Sequence, residues 1–419
     1  MTQSAFAYRN GTFCAETIPL AEIATEVGTP FYCYSTAQLQ NNYHDFTTSF
    51  KGLKVTIHYA NKANANLAVT RVLASCGAGG DVTSAGELER ALQAGINPAK
   101  IVFSGVGKTR DDLSAALLAN IYQINVESIP ELHLISNVAT SLSRTATVAL
   151  RINPDVAAST YQKTSTGHKE TKFGIDKEQL DEAIRLATTL PGISLKGFTV
   201  HVGSHVYDYE PFRQAFQTLA DLVRRCRGQG LNITRVDLGG GVTIPYDGNT
   251  LPPFADYAVI VREVIAPLDC EISMEPGRRL VGDAGVLVSR ITYIKETPHK
   301  KFLILDAGMN DLVRPAMYGA RHSILPATET RGTTELVAIV GPICETSDMF
   351  GEDYSMPKLA EDDLVVILQA GAYGSAMSGN YNGRALVPEV LVSGSDYAVV
   401  RRRIPVAEQV GWEAVPSWL

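Results

Sequence analysis

The sequence predicts an α/β fold, a parallel (β/α)8 barrel joined to a mainly antiparallel β domain, on three observations. From residue 54 to about 280, short β-branched runs alternate with amphipathic stretches of helical period. Those runs number eight in roughly 225 residues, which suits a closed barrel better than an open doubly wound sheet. Beyond 280 the helical period stops, and strand-like runs alternate with turns.

Taken in order, residues 1–35 are short and irregular apart from "FYCYS" (31–35), a strand expected to join the β domain. Residues 36–280 make the barrel. Its runs are "KVTIHYA" (54–60), "GGDVTS" (79–84), "KIVFSG" (100–105) and "YQINVES" (122–128). They continue as "TATVALRINP" (145–154), "SLKGFTVHVG" (194–203), "ITRVDLGGG" (233–241) and "CEISMEPGR" (270–278). Between them "AGELERALQAG" places Leu88, Ala91 and Leu92 on one helical face and stops at Gly95. "RDDLSAALLAN" carries acids in its first turn, "DKEQLDEAIRLATTLP" is amphipathic and ends at Pro191, and "YEPFRQAFQTLADLVRRCRGQG" is longer. Residues 281–419 supply "GVLVSRITYIKET", "KFLILDAG", "ELVAIVGPI", "DDLVVILQAGAY" and "PEVLVSG" as strands of the second domain.

Composition narrows the function. The 419 residues are 45% hydrophobic and 19% charged, enough apolar material for a large core. The net charge of −7 is spread thinly with no basic run, which argues against nucleic-acid and anionic-membrane partners. The N-terminus lacks a signal-peptide pattern, and no apolar stretch approaches a transmembrane span. Six cysteines without C-x-x-C spacing read as reduced thiols of a cytoplasmic protein.

In a parallel barrel the chemistry gathers at the C-terminal ends of the strands. Lys62 follows the first strand in "YANKAN", Asp81 lies in the second, and His201 closes the sixth. Gly239 to Gly241 close the seventh, and "EPGR" (275–278) closes the eighth. Each has an ordinary structural reading alone: a loop lysine, a core histidine, a tight turn, a salt bridge. Their arrival at one rim is what favours a site. Glycine-rich and arginine-bearing loops after strands seven and eight suit a phosphate, with a following helix expected to add its dipole. A phosphate site beside a lysine suggests pyridoxal 5'-phosphate held on Lys62, whose amine desolvation would make nucleophilic. Two other motifs fail. "SGVGKT" (104–109) has Val102 where a P-loop needs its first glycine, and "HVGSH" lacks the glutamate of a zinc-binding helix, so no metal is expected.

The series "YANKAN", "GGDVTSAGEL", "KFGI", "HVGSH", "DLGGG", "EPGR", "MNDLVRPAMYGARH", "CETSD" and "GAYGSAMSGNYNGR" resembles that of the diaminopimelate decarboxylases, in order over nearly the whole chain. These are fold-type III pyridoxal phosphate enzymes related to ornithine decarboxylase and, more distantly, to alanine racemase. The resemblance implies that Lys62 carries the cofactor and that His201 stacks on its ring. It implies cofactor contacts from Asp81, Ser204, Gly240, Gly241, Glu275, Gly277, Arg278 and Tyr373, with Glu275 on the pyridine nitrogen. Substrate contacts are implied for Arg278, Arg314, Tyr318, Glu345 and Tyr373. Cys344 resembles the thiol that returns a proton, and Cys344 and Glu345 are implied to come from the second subunit of a homodimer.

The substrate's chemistry agrees with these residue types. Meso-diaminopimelate carries an ammonium and a carboxylate at each end. Arg278 and Arg314 suit the distal carboxylate, and Glu345 suits the distal ammonium. The expected activity is therefore decarboxylation of meso-diaminopimelate to L-lysine and carbon dioxide. A related decarboxylase of D-lysine or D-ornithine, or an inactive binding relative, is the competing reading. The departures from the family pattern are His205, Asn61, Thr346 and Ser347. Of these only His205 is expected to touch the cofactor region, and the long polar loop 156–175 is expected to be mobile.

Overall fold

The computed structural model describes residues 4–156, 171–330 and 332–419. Most of the loop expected to be mobile therefore lies outside the described residues. The chain divides into two units: residues 42–244 with 250–280, and residues 1–41 with 245–249 and 281–419.

The first unit is the barrel. Its strands are Val55–Ala60, Gly79–Val82, Ile101–Phe103, Gln123–Val126, Ala146–Arg151, Ile193–Thr199, Arg235–Asp237 and Glu271–Met274. Seven lie within the runs read from the sequence, and the sixth starts one residue before its run. They pair in parallel in chain order, and Ile272 opposite Val55 closes the ring. β-branched side chains suit strands buried on both faces, which is why most runs are rich in Val and Ile. The helices start on side-chain caps. The Ser84 side chain accepts the amide of Glu87, Ser128 that of Glu131, and Thr109 forms a capping box with Asp112. The "KT" of the failed P-loop motif is thus a helix start. Helices Leu67–Ser75 and Ile129–Ser141 were not anticipated, because their apolar residues do not stand out from the strands beside them.

The second unit is a mixed, mainly antiparallel sheet. Gly285–Glu296 is its long central strand, with Phe31–Ser35 and Leu364–Ile367 antiparallel to it at one end and Lys301–Leu305 at the other. Two pairs are parallel, Phe31–Ser35 with Glu389–Ser393 and Lys301–Leu305 with Thr334–Val340. "FYCYS" is a strand of this sheet, as expected. Strands Met349–Pro357 and Asp396–Arg401 escape sequence reading because they lie outermost and alternate with polar residues. A core of Phe13, Ile23, Phe31, Cys33, Val286, Val288, Val366, Val390 and Val392 binds the N-terminal residues to this sheet. Each such large side chain contributes about 1.5–3 kcal/mol against the entropy of ordering the chain.

Candidate active site

The barrel unit gathers its polar residues at the strand ends. After Ala60 the chain makes one 3-10 turn, Asn61–Ala63, which presents Lys62 while Asn61 and Asn64 stay buried. The Asn61 amide donates to the Tyr59 carbonyl at 3.1 Å, and Tyr59 Oη donates to the Asn64 carbonyl at 2.7 Å. The Asn61 amide and the Tyr59 hydroxyl therefore satisfy the backbone carbonyls around the turn that presents Lys62. Lys62 Nζ meets Asp81 Oδ2 at 2.7 Å, and the Asp81 side chain has no solvent exposure. A buried carboxylate thus faces Lys62, whose side chain keeps 35% exposure, so the amine is paired and not isolated in an apolar pocket.

Lys62, Ser104, Asn125, Phe173, His201 and Glu275 help line a cavity of about 200 Å³. Glu275 Oε1 accepts the Ser104 hydroxyl at 3.1 Å and the Asn125 amide at 3.0 Å. The same amide reaches Asp237 Oδ2 at 3.2 Å. Burial, reinforced by the negative charges of Asp237 and Asp81, pushes Glu275 well above the usual carboxylate range, which favours its protonated form. His201 lies just beyond the strand ending at Thr199, and its Nδ1 accepts the Gly240 amide at 3.1 Å. Burial, with Arg151 and Lys62 adding positive charge, drives its pKa well down, so the imidazole is neutral with its proton on Nε2.

The glycine loops pack without room for side chains. Gly241 has φ +101°, and a Cβ there would lie 2.2 Å from the Gly203 carbonyl oxygen. A Cβ on Gly277 would lie 2.9 Å from that of Ala63, so "EPGR" packs against the lysine turn. Arg278 Nη2 donates to Ser204 Oγ at 3.3 Å, joining the loops after strands six and eight. The helix dipole expected after these loops is corrected. The next helix after Gly241 starts at Phe254, and the one after "EPGR" is only Arg278–Val281. Backbone amides and Arg278 provide the positive field instead.

In the other unit Arg314 is 1% exposed, not on the surface. Its Nη1 donates to His322 Nε2 at 2.7 Å, and its guanidinium lies 4.5 Å from the Tyr246 ring centroid. Tyr318 is half-buried on the same short helix, Arg314–Tyr318. Tyr373 is half-buried with φ +55°. Cys344 and Glu345 are exposed. The Cys344 amide donates to Asn382 Oδ1 at 3.1 Å, and Tyr381 Oη donates to Glu345 Oε1 at 2.7 Å. Arg314 and Tyr318 thus form one group in this unit, Cys344 and Glu345 another.

The sequence motifs that failed have structural roles. Lys108 Nζ donates to the Gly105 carbonyl at 2.7 Å, the Asn125 carbonyl at 2.7 Å and Glu131 Oε1 at 2.6 Å, so its three protons are all engaged within the fold. His205 meets Thr243 Oγ1 at 2.5 Å and Tyr207 Oη at 2.6 Å through its two ring nitrogens. Sequence reading missed Ser104, Asn125, Glu127, Arg151 and Asp237. A signal was present: Gln123, Asn125 and Glu127 alternate within the fourth strand and its end, which puts three polar side chains on one face of a buried strand.

A lysine amine, a carboxyl favoured in its protonated form on the cavity wall, a neutral imidazole and glycine loops under Arg278 are the donor set that pyridoxal phosphate requires, and the residues present fit it. The family model for the pyridoxal-binding domain of pyridoxal-dependent decarboxylases matches residues 36–282, and the chain is a pyridoxal phosphate-dependent decarboxylase. It belongs to the diaminopimelate decarboxylase family. It is 42% identical over 419 residues to the diaminopimelate decarboxylase of Zymomonas mobilis, covering 99% of both chains. It is 43% identical over 410 residues to that of Pseudomonas aeruginosa, covering 98% of this chain and 99% of the relative. The crystal structure of the M. jannaschii diaminopimelate decarboxylase, solved with L-lysine, matches with a TM-score of 0.94 at 38% identity, covering 99% of this chain and 98% of that one.

Proposed function

We propose that this enzyme decarboxylates meso-2,6-diaminopimelate to L-lysine and carbon dioxide, the last step of lysine biosynthesis. The observation that carries the chemistry is Lys62 at a cavity whose wall holds the carboxyl of Glu275, favoured in its protonated form. The family membership supports the substrate.

When bound, pyridoxal phosphate supplies an electron sink for the pair left behind as carbon dioxide departs. Lys62 would hold the group covalently through its amine. Glu275 would sit at the ring nitrogen and keep it protonated, and the neutral imidazole of His201 would support the ring. Ser204, Gly240, Gly241, Gly277 and Arg278 receive the phosphate, with Tyr373 beside it, and Asp81 pairs with Lys62. Arg278, Arg314, Tyr318 and Tyr373 read the carboxylates of the substrate, and Glu345 reads its distal ammonium. The Cys344 thiol returns a proton to the carbon that lost its carboxylate, with retention of the electron pair in the new C–H bond.

The reading includes a homodimer, in which Cys344 and Glu345 serve the partner's site. Their exposure supports this, because a proton donor works in a water-excluded setting. It also includes a cytoplasmic location, supported by six free cysteines, and a division of the chain into residues 1–35, 36–280 and 281–419. Among the described residues no helix is long and apolar enough to cross a membrane.

Carbon dioxide release from meso-diaminopimelate, D-lysine, D-ornithine and L-ornithine tests the assignment side by side. Strong preference for diaminopimelate is expected. Preference for a substrate without a distal carboxylate overturns the roles of Arg278 and Arg314. Borohydride trapping tests Lys62, since Lys62→Ala should yield no covalent adduct. Mixed dimers of Lys62→Ala and Cys344→Ala chains test sharing, because only shared sites regain activity on mixing.

A further inference from the structure

The buried pair Glu127–Arg151 has no part in the chemistry above, yet it stands at the cavity. Glu127 follows the fourth strand and is 3% exposed. Its carboxylate accepts Arg151 Nη1 at 2.7 Å, the Gly105 amide at 3.3 Å and the Gly174 amide at 2.9 Å. One acid therefore ties together the ends of the third and fifth strands and the segment "KFGI" (172–175). That segment is fixed on its other side too. Ile175 donates to the Arg151 carbonyl at 2.7 Å and accepts the Asn153 amide at 3.1 Å. Gly174 has φ +73°, and a Cβ there would lie 3.0 Å from the Asn153 nitrogen. The neighbouring Phe173 then places its ring centroid 5.0 Å from the Arg151 guanidinium and lines the cavity beside Lys62, His201 and Glu275.

We propose that Glu127 and Arg151 are positioning residues that seat Phe173 as the apolar wall of the cofactor cavity. A buried ion pair is a weak device for stability alone, since well-packed apolar residues of the same volume serve as well or better. Here its geometry achieves something an apolar pair does not. The carboxylate spends its acceptors on the backbone of the Phe173 segment, and the guanidinium presents a flat cation to the ring. The ring adds an apolar wall beside the charged and polar side chains of Lys62, Glu275 and His201, where exclusion of water strengthens every charge interaction. Arg151 and Glu127 act on the cofactor chiefly through Phe173, although Arg151 also lines the cavity and adds positive charge near His201, so their effects and that of Phe173 must be largely coupled.

A double-mutant cycle on purified protein tests this, read by equilibrium binding of pyridoxal phosphate to the apoprotein and by the circular dichroism of the bound cofactor. Arg151→Met and Phe173→Leu should each weaken binding by about tenfold and alter the dichroic band, with the double variant no worse than either alone. Arg151→Lys, which keeps a cation near the ring, should restore part of the loss. Losses that multiply to about a hundredfold in the double variant overturn the proposal, as does an unchanged dichroic band in Phe173→Leu. Should Arg151→Met fail to fold, Glu127→Gln with Phe173→Leu forms the same cycle with the same criteria. Trapping of the cofactor on Lys62 in the parent enzyme separately checks the site on which the inference rests.

Discussion

Lys62 Nζ lies 2.7 Å from Oδ2 of Asp81, a carboxylate wholly removed from solvent whose buried Oδ1 has no hydrogen-bond partner among the described residues. An acid so placed depends on the lysine for its compensation. Lys62→Met should therefore destabilise the apoprotein as well as abolish turnover. The loss should be about 2 kcal/mol, below that of a fully buried pair because the lysine side chain is 35% exposed. Adding Asp81→Asn should recover most of it. Urea denaturation of the apoproteins is the check, and an unchanged midpoint for Lys62→Met would break the argument.

Glu275 predicts a separation of stability from activity. Because burial favours its protonated carboxyl, glutamine is a close stand-in for the apoprotein: its carbonyl can accept Ser104 and Asn125, and its amide can donate to Asp237. Glu275→Gln should leave the apoprotein at least as stable as the parent. It cannot become the carboxylate that balances a protonated ring nitrogen, so kcat should fall by about a hundredfold or more. A melt and a turnover assay on one preparation decide it, and near-normal kcat would remove Glu275 from the ring nitrogen.

Asp311 gives a pH prediction. Burial raises its pKa to about 7, against the opposing pull of the Gly308 amide and Arg384. The folded state thus holds a proton that the unfolded chain releases near the ordinary carboxyl value of about 4. Stability from this group is full below about pH 4 and is lost as pH rises through about 7. Asp311→Asn should flatten that decline, since an amide does not titrate over this range. Denaturation midpoints at pH 5 and pH 8 measure it; equal slopes in parent and variant would count against the assignment.

These residues differ in how far sequence alone reveals them. The barrel is legible because each buried parallel strand is a compact β-branched run, and Lys62 because it interrupts the end of one. Asn125, Glu127 and Asp237 are not, because a polar side chain inside a barrel looks in sequence like a turn residue until its strand mates are known. Asp348 is visible as the last letter of "CETSD", but one partner, the Met309 amide, is 39 residues away. Only the fold brings the two together. Strand Met349–Pro357 was hidden for a related reason: its polar residues face away from the sheet's core, and its register comes from Thr334–Val340.

His205 is 1% exposed, and each ring nitrogen meets a hydroxyl, from Thr243 and from Tyr207. Its role is to join the loop after the sixth strand to the chain beyond the glycine turn. A glutamine amide can also offer one donor and one acceptor, so His205→Gln should keep turnover within about tenfold, roughly 1.4 kcal/mol of barrier. His205→Ala removes both ring contacts and leaves the buried Thr243 hydroxyl with only the Ile244 carbonyl at 3.2 Å, which should destabilise the apoprotein by about 1–3 kcal/mol. A tenfold or greater loss of kcat in the glutamine variant would give the imidazole a role of its own.

The turn that carries Cys344 and Glu345 is pegged by Asp348. One carboxylate oxygen accepts the Met309 amide and the other the Ile343 amide, both at 2.6 Å. The turn closes through the Gly341 amide on the Asp348 carbonyl and the Asp348 amide on the Glu345 carbonyl, each at 3.1 Å. A Cβ on Gly341 would lie 2.4 Å from the carboxylate, so the peg is built into the turn. Asp348→Asn replaces one acceptor by an N–H that faces another N–H, which should cost about 1–3 kcal/mol locally. The larger effect should be on chemistry, because a proton donor displaced by about 1 Å can lose a hundredfold in rate. We expect kcat to fall by one to two orders of magnitude while cofactor binding is unchanged, and the rate of Cys344 alkylation to change with it. If kcat stays within twofold while alkylation of Cys344 changes, the thiol's placement is not critical and the proton comes from another group.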